Sequence, residues 1–457
     1  MRITNLNPGD DIGASAWLVE IDGHRILLDA GMHPRHEGRA ALPLYDSVAN
    51  LEVDAIALTH CHHDHCGSLP VALRYFPRAR VLMTEPSYFI VERVLHNSVN
   101  VMKSQRTELG ITEYPLFHHR EVEEIAHLFQ SYKYRREIEW AVPNHSGERP
   151  LPTLEFFDAG HVLGSAGILI RGKKESLFYT GDICFDAQTL LAGACFDEVS
   201  ADVLLMETTR GSTPVPIEWS REAEVARLIA AINDALEGNG SVLLPVFALG
   251  RTQEILALLA LEMQAGRLPR RPVFIGGLGR VFTEIYDLES HRTERQHPDL
   301  SLHEALNLTV LEKGDAERMN LGGGKLFVCT AGMMSEHTAA HDLAVRMVSD
   351  VRQSVFFVGY ADPNSPGGRF KASQPGISFH FSGGVGELTR HCTMKSFDLT
   401  AHAQRNELVD FASCVEPRVV VLGHGEPEAR AWVAHELQDR LPKVNFYSPM
   451  PGATLES

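Results

Sequence analysis

Short apolar runs of β-forming residues recur along this chain, and the outer parts of the sequence repeat one arrangement: each run stops at a side chain able to hold a metal or move a proton. The runs are Arg25-Ile26-Leu27-Leu28 before Asp29, Ala55-Ile56-Ala57-Leu58 before Thr59-His60, and Leu154-Glu155-Phe156-Phe157 before Asp158-Ala159-Gly160-His161. Leu177-Phe178-Tyr179 leads to Gly181-Asp182, Val203-Leu204-Leu205-Met206 ends at Glu207, and Val419-Val420-Val421-Leu422 ends at Gly423-His424. Runs of this composition predict buried strands. Ligand sites in α/β folds gather on loops past strand C-termini, so the six runs predict one site assembled from distant sequence.

Between Glu207 and about residue 394 the runs end in glycine instead: Val242-Leu243-Leu244 through Leu249-Gly250, Pro272-Val273-Phe274-Ile275-Gly276, Leu326-Phe327-Val328-Cys329 to Gly332, and Val355-Phe356-Phe357-Val358-Gly359. With helical stretches between them, they predict a second α/β domain. One such helix starts at a Ser220 cap, carries Val225, Leu228, Ile229, Ile232 and Leu236 on its apolar face, and stops at Gly238. His424 lies beyond this region yet matches the first group, so the second domain is read as inserted in the first. The expected organisation is residues 1–207 and 395–457 for the outer domain and 208–394 for the insertion. No internal repeat or low-complexity tract is present.

A chain of 457 residues with 44% hydrophobic and 22% charged residues fits two soluble globular domains. The opening Met1 to Pro8 has no basic segment followed by an apolar one, and Ile255 to Leu261 is too short to span a bilayer, so the expectation is a cytoplasmic protein without membrane association. Seven cysteines without paired spacing predict free thiols in a reducing compartment and no CxxC metal site. A net charge of −17 opposes general polyanion binding, so any nucleic-acid groove must be basic locally.

The densest chemistry is Thr59-His60-Cys61-His62-His63-Asp64-His65-Cys66-Gly67, which contains H-x-H-x-D-H. If His60 and His62 face one ion, Asp64 and His65 can face another, with a carboxylate from elsewhere bridging the pair. Zinc suits such nitrogen and oxygen donors and keeps a position open for water in catalytic sites. The preceding apolar run and the following Gly67 set this loop apart from a solvated His-rich surface turn.

This loop resembles the signature of the metallo-β-lactamase superfamily, and the other run-ending residues fall in the order that superfamily uses. The resemblance implies an αββα sandwich with two Zn²⁺: His60, His62 and His161 on one, Asp64, His65 and His424 on the other, and Asp182 bridging them. It also implies that Asp29 accepts a hydrogen bond from a ligand histidine, support of a kind worth ~10–100-fold in affinity or activity. Two zinc ions outweigh Asp64, Asp182 and a bridging hydroxide, leaving a net positive site that suits a phosphate.

Three further segments resemble the motifs of the β-CASP family, whose members cleave nucleic acids: Glu207-Thr208-Thr209-Arg210-Gly211, Thr400-Ala401-His402-Ala403 and Gly423-His424-Gly425-Glu426. Leu244 to Glu254, Ala331-Gly332-Met333-Met334 and Val358-Gly359-Tyr360 extend the likeness over nearly the whole chain. A histidine at the third motif is typical of RNA-processing members. The resemblance therefore implies a hydrolase acting on single-stranded RNA, endonucleolytically, from the 5′ end or both, to give 5′-phosphate and 3′-hydroxyl ends. Asp64, His402 and Glu207 would be catalytic, with His402 protonating the leaving 3′-oxygen and Glu207 keeping it charged. Arg251 and Arg369, alongside Arg280 and Lys371, are the basic residues expected along a groove. A DNA nuclease, a small-ester hydrolase on the same metal core and an inactive RNA-binding scaffold are the rival classes; a scaffold would have lost ligands, and all seven are present.

The chain departs from the family pattern at Gln404, where an acidic residue commonly stands, at the proline-interrupted segment Tyr360 to Arg369, and at Ser335-Glu336-His337. No additional RNA-binding domain is legible, so the expectation is a minimal catalytic unit whose partners are the RNA, accessory RNA-binding proteins or a second copy.

Overall fold

All six runs of the outer region fold as strands: His24–Leu28, Ala55–Ala57, Thr153–Asp158, Ser176–Tyr179, Val203–Glu207 and Val419–Gly423. The computed structural model describes residues 1–141 and 151–457. The chain divides into two compact units, the first comprising residues 1–187, 193–215 and 402–457, the second 188–192 and 216–401.

Among the described residues, the first unit holds two seven-stranded sheets. One runs in the order Thr454–Glu456, Arg2–Asn5, Trp17–Ile21, His24–Leu28, Ala55–Ala57, Arg80–Thr84, Phe129–Tyr132. The other runs Asn445–Tyr447, Val419–Gly423, Val203–Glu207, Ser176–Tyr179, Ala166–Arg171, Thr153–Asp158, Ile138–Glu139. Strand parity explains the apolar runs. Leu154, Phe156, Leu177, Tyr179, Val203, Leu205, Val419 and Val421 point to the core shared with Ile3, Val19, Ile26, Leu28 and Ala57 of the first sheet. Their alternates Phe157, Phe178, Leu204, Met206, Val420 and Leu422 pack instead with Leu408, Val409 and Ala412 of helix Arg405–Val415 and Val433 and Leu437 of helix Pro427–Arg440. Helix Glu85–Glu108 packs on strands Arg80–Thr84 and Phe129–Tyr132. The order helix, sheet, sheet, helix is the αββα sandwich expected from the sequence.

In the second unit the glycine-terminated runs become strands of a six-stranded sheet, ordered Thr309–Leu311, Val273–Gly276, Leu326–Cys329, Val242–Pro245, Ser354–Phe357, Thr393–Ser396, with every pairing parallel. Leu243, Phe327, Val355 and Phe357 cover one core with Leu343, Ala344 and Met347 of helix Ala339–Met347. Ser220 caps helix Arg221–Glu237, its hydroxyl accepting from Ala223 N, and Gly238 ends it, as the sequence predicts. The sequence-based division after residue 394 falls inside strand Thr393–Ser396, because its register with Ser354–Phe357 carries the chain as far as Ala401 with the second unit. No helix among the described residues is long and apolar enough to cross a membrane.

Candidate metal centre

The loop after Ala55–Ala57 is backed along its length by the turn that follows Asp29. Ala30 N donates to His65 O at 2.8 Å and Met32 N to His63 O at 3.0 Å. This approach needs Gly31, since a Cβ there would lie 1.8 Å from Asp64 O. Asp29 and His424 both take positive φ, 61° and 43°, as the chain turns sharply off its strand toward the site. Gly181, at φ +55°, does the same before Asp182, packing where a Cβ would stand 2.7 Å from Thr59 Cβ.

These turns converge on Asp182, which is buried. Its Oδ2 lies 3.7 Å from His60 Nε2 and 3.6 Å from His161 Nε2, while Oδ1 lies 3.3 Å from His65 Nε2 and 3.4 Å from His424 Nε2. His62 Nδ1 is 3.1 Å from His161 Nε2, and Asp64 Oδ2 is 3.8 Å from His424 Nε2. Two ligands ~2.0–2.1 Å from one zinc at the tetrahedral angle stand ~3.3 Å apart, so these separations suit coordination to shared ions. The donors fall into one group of His60, His62, His161 and Asp182 and another of Asp64, His65 and His424.

The buried atoms test the fit. His60 Nε2, His65 Nε2 and Asp182 Oδ1 are fully enclosed and make no hydrogen bond, a costly arrangement that a cation relieves. Burial, followed by repulsion from His65, drops the His60 pKa well below its ordinary value and keeps its lone pair available. Asp182 is held well below the carboxylate range: its burial opposes ionisation, but the surrounding imidazoles, His424 foremost, outweigh it. His65 shows the reverse. Against its burial, Asp182 and Asp29 raise its pKa well above normal, and the same negative charges that retain a proton there would retain a metal cation.

Asp29 Oδ2 lies 2.8 Å from His65 Nδ1. The Asp29 carboxylate also accepts from Thr59 N, Thr59 Oγ1 and Tyr179 OH. His424 Nδ1 lies 2.8 Å from Ser15 Oγ, and His60 Nδ1 lies 3.1 Å from Thr59 Oγ1. None of Ser15, Thr59 or Tyr179 was singled out from sequence as a site residue; a tyrosine ending a buried strand, which must find a partner for its hydroxyl, was the available signal.

His402 stands beside this cluster, its ring centroid 4.6 Å from that of His161 and its Nδ1 3.5 Å from Glu207 Oε1. Glu207 is buried and anchored by Ile183 N at 2.6 Å and Thr209 N at 3.2 Å. Burial alone would lower the His402 pKa, but the Glu207 carboxylate more than reverses this and raises it. Glu207, His402 and Asp182 thus form a third group of closely spaced donors. His62, Asp64 and His402 are the half-buried members of the constellation and mark its accessible side.

Three of the basic residues expected along a groove, Arg251, Arg369 and Lys371, make hydrogen bonds within the second unit. Arg251 is only 8% exposed, and its guanidinium donates to Leu399 O and Gln188 Oε1 inside the second unit. Arg369 donates to Phe381 O and Asn364 O, and Lys371 to Gly359 O. These cations hydrogen-bond to loops of their own unit, which offer carbonyl oxygens in need of a donor. Gln404, at the family's acidic position, accepts from Arg210 Nε at 3.1 Å and caps helix Arg405–Val415. The proline-interrupted segment turns out to start a helix, Pro366–Ala372, capped by Ser365. Glu336 accepts from Gly384 N at 2.8 Å.

Histidine and carboxylate side chains thus gather at the strand ends of an αββα sandwich in groups able to hold metal ions. Comparison with known proteins agrees: residues 9–235 match the metallo-beta-lactamase superfamily, 252–370 the Beta-Casp domain, and 387–449 the Zn-dependent metallo-hydrolase RNA specificity domain. A ribonuclease of Thermus thermophilus is 30% identical over 447 residues, covering 94% of each chain. Cleavage and polyadenylation specificity factor subunit 3 of Dictyostelium discoideum is 26% identical over 98% of this chain, and Integrator complex subunit 11 of Gallus gallus 25% over 99%. The chain spans 56% of the Dictyostelium relative and 73% of the Gallus one. A crystal structure of a protein of unknown function from Enterococcus faecalis shares the fold, with a TM-score of 0.56, 15% identity and 99% coverage of both chains. The chain belongs to the metallo-β-lactamase superfamily and, within it, to the β-CASP family.

Proposed function

We propose that this protein is a zinc-dependent phosphodiesterase that hydrolyses single-stranded RNA to 5′-phosphate and 3′-hydroxyl ends, by endonucleolytic cutting, 5′-exonucleolytic cutting or both. The observation that carries this reading is Asp182: each of its oxygens faces a separate pair of imidazole nitrogens, with His402 and Glu207 alongside. His60, His62 and His161 would hold one zinc and Asp64, His65 and His424 the other, with Asp182 shared between the two groups. When bound, two such ions lower the pKa of water toward ~7 and stabilise charge on a phosphate. The protein's own part is to fix the donors, to exclude water behind the buried ligands, and to supply a proton on the leaving-group side. Glu207 orients the His402 ring through Nδ1 and keeps it charged, and His402 gives its proton from Nε2 to the departing 3′-oxygen.

RNA is favoured over DNA or small esters by the ribonuclease among the relatives and by the RNA specificity domain match. Seven free cysteines accord with a cytoplasmic, reducing setting. With a chain charge of −17, accessory RNA-binding proteins or a second copy would add grip on the substrate.

Metal analysis combined with digestion of matched end-labelled single-stranded RNA and DNA, and of generic esters, tests the proposal. The expected result is two zinc ions per chain and cleavage of RNA in preference to the others. Asp182→Ala should lose both metal and cleavage. Metal-loaded wild-type protein that cuts DNA or esters but leaves RNA intact would overturn the substrate assignment.

A further inference from the structure

The strands that lead to Asp29 and His60 have a third neighbour in their sheet, and all three pair in parallel: His24–Leu28 with Ala55–Ala57, and Ala55–Ala57 with Arg80–Thr84. Parallel neighbours end at one edge, so the chain beyond Thr84 emerges on the side where the histidine loop lies. It delivers no metal-facing side chain there. Instead Thr84 caps helix Glu85–Glu108, its hydroxyl accepting from Ser87 N at 3.4 Å, with Pro86 in the first turn.

That first turn is wedged between two loops of the candidate metal centre. Cys61, which stands between His60 and His62, donates from Sγ to Ser87 O at 3.4 Å. Thr84 Oγ1 and Ser87 Oγ donate to Gly164 O, just past His161, at 2.7 and 3.1 Å. The approach is close enough that a Cβ on Gly164 would stand 2.8 Å from Ser87 N. The next two residues are Tyr88 and Phe89, each 40% exposed, with ring centroids 5.5 Å apart and planes at 89°. Edge-to-face packing occupies at most one face of such a pair, so open ring surface remains. Among the described residues of the first unit, the only other exposed Phe, Tyr or Trp is Tyr447, on an edge strand of the other sheet.

We propose that Tyr88 and Phe89 form a stacking platform for a base of single-stranded RNA flanking the bond to be cut, an inference that rests on the reading of the site as an RNA phosphodiesterase. Unpaired bases have open π-faces, and stacking on an aromatic side chain strengthens binding ~5–150-fold per base with little regard to sequence. The platform is uncharged, and so supplies grip that a chain of net charge −17 does not gain from clustered cations.

The test uses full-length wild-type protein and the double variant Tyr88→Ala, Phe89→Ala. Each is given single-stranded RNA oligonucleotides in which either a fluorescent base analogue, quenched by stacking, or an abasic site is moved along the strand. In wild type, one position beside the cut should show quenching, and loss of the base there should raise KM ~5–150-fold. The double variant should show no quenching, should raise KM on intact RNA by that factor, more than kcat falls, and should lose nothing further on the abasic strand. Tyr88→Trp with Phe89→Trp should restore the quenching, which separates stacking from a folding defect. An unchanged KM in the alanine variant, or an abasic penalty equal to that of wild type, would overturn the platform. So would a change of oligomeric state in light scattering with RNA binding intact, which would make the patch a protein contact. Wild-type protein that leaves RNA uncut refutes the phosphodiesterase reading alone. Quenching in the uncut strand then judges the platform: dependence on the two rings upholds it, and quenching that is absent or unaffected by their loss overturns it.

Discussion

Glu207 ties its carboxylate to two backbone amides and still faces the His402 ring, so carboxylate and imidazole are fixed side by side next to the histidine and aspartate cluster. Because the His402 pKa is raised, the stability gained from this pair is fully present below the unfolded value of ~6.5 and fades as pH climbs through the folded one. Glu207→Gln should therefore lower the His402 pKa, read by NMR at equal metal loading, and narrow the alkaline side of the activity profile. His402→Ala should keep its zinc and cut RNA ~10²–10⁴-fold more slowly, the usual worth of a positioned general acid. Full activity in that variant would remove His402 from the chemistry. At this scale the sequence spoke clearly where spacing itself carries the chemistry, as in His60 to His65 and the run-ending Asp29, Asp182 and Glu207. It was silent on Ser15, since a serine among small residues has no signal until the fold brings His424 to it. Arg251 misled for a related reason: charge is visible in a sequence, but the carbonyls of other segments that claim it are not.

Strand Val203–Glu207 illustrates how an element was legible: four buried apolar residues alternate between two cores, which a continuous run announces, and a polar residue marks its end. Helix Arg221–Glu237 was legible through its cap and stop residues. Helix Pro366–Ala372 was not, because proline read as an interruption when, after a capping serine, it occupies the first turn. Also hidden was the use of Glu254, a buried carboxylate in helix Arg251–Gln264 that accepts from Thr189 N at 2.6 Å, Leu190 N at 3.1 Å and Leu191 N at 3.2 Å. Residues 188–192 accordingly count with the second unit although both flanks belong to the first. Glu254→Gln turns an acceptor into a donor facing amides, and should cost ~1–3 kcal/mol in urea denaturation of the second unit. An unaltered midpoint would show that those amides find other partners.

At the scale of the whole molecule, the first unit draws the side chains of the cluster from both sheets: His60, and Asp29 behind the cluster, follow strands of one, and His161, Asp182 and His424 strands of the other. Ions held by His60, His161, Asp182 and His424 would cross-link the sandwich at its strand ends, so stability and metal binding would be linked. Chelation should lower the melting temperature of wild-type protein and leave that of Asp182→Ala, already depleted, almost unmoved. The cysteines supply a second view of the same event. Cys195 and Cys414 are exposed, whereas Cys61 and Cys66, interleaved with the ligands, are buried. A thiol reagent should thus consume two sulfurs at once and reach the pair inside the histidine loop only when that loop opens, giving the protein a chemical clock that runs faster each time the cage loosens.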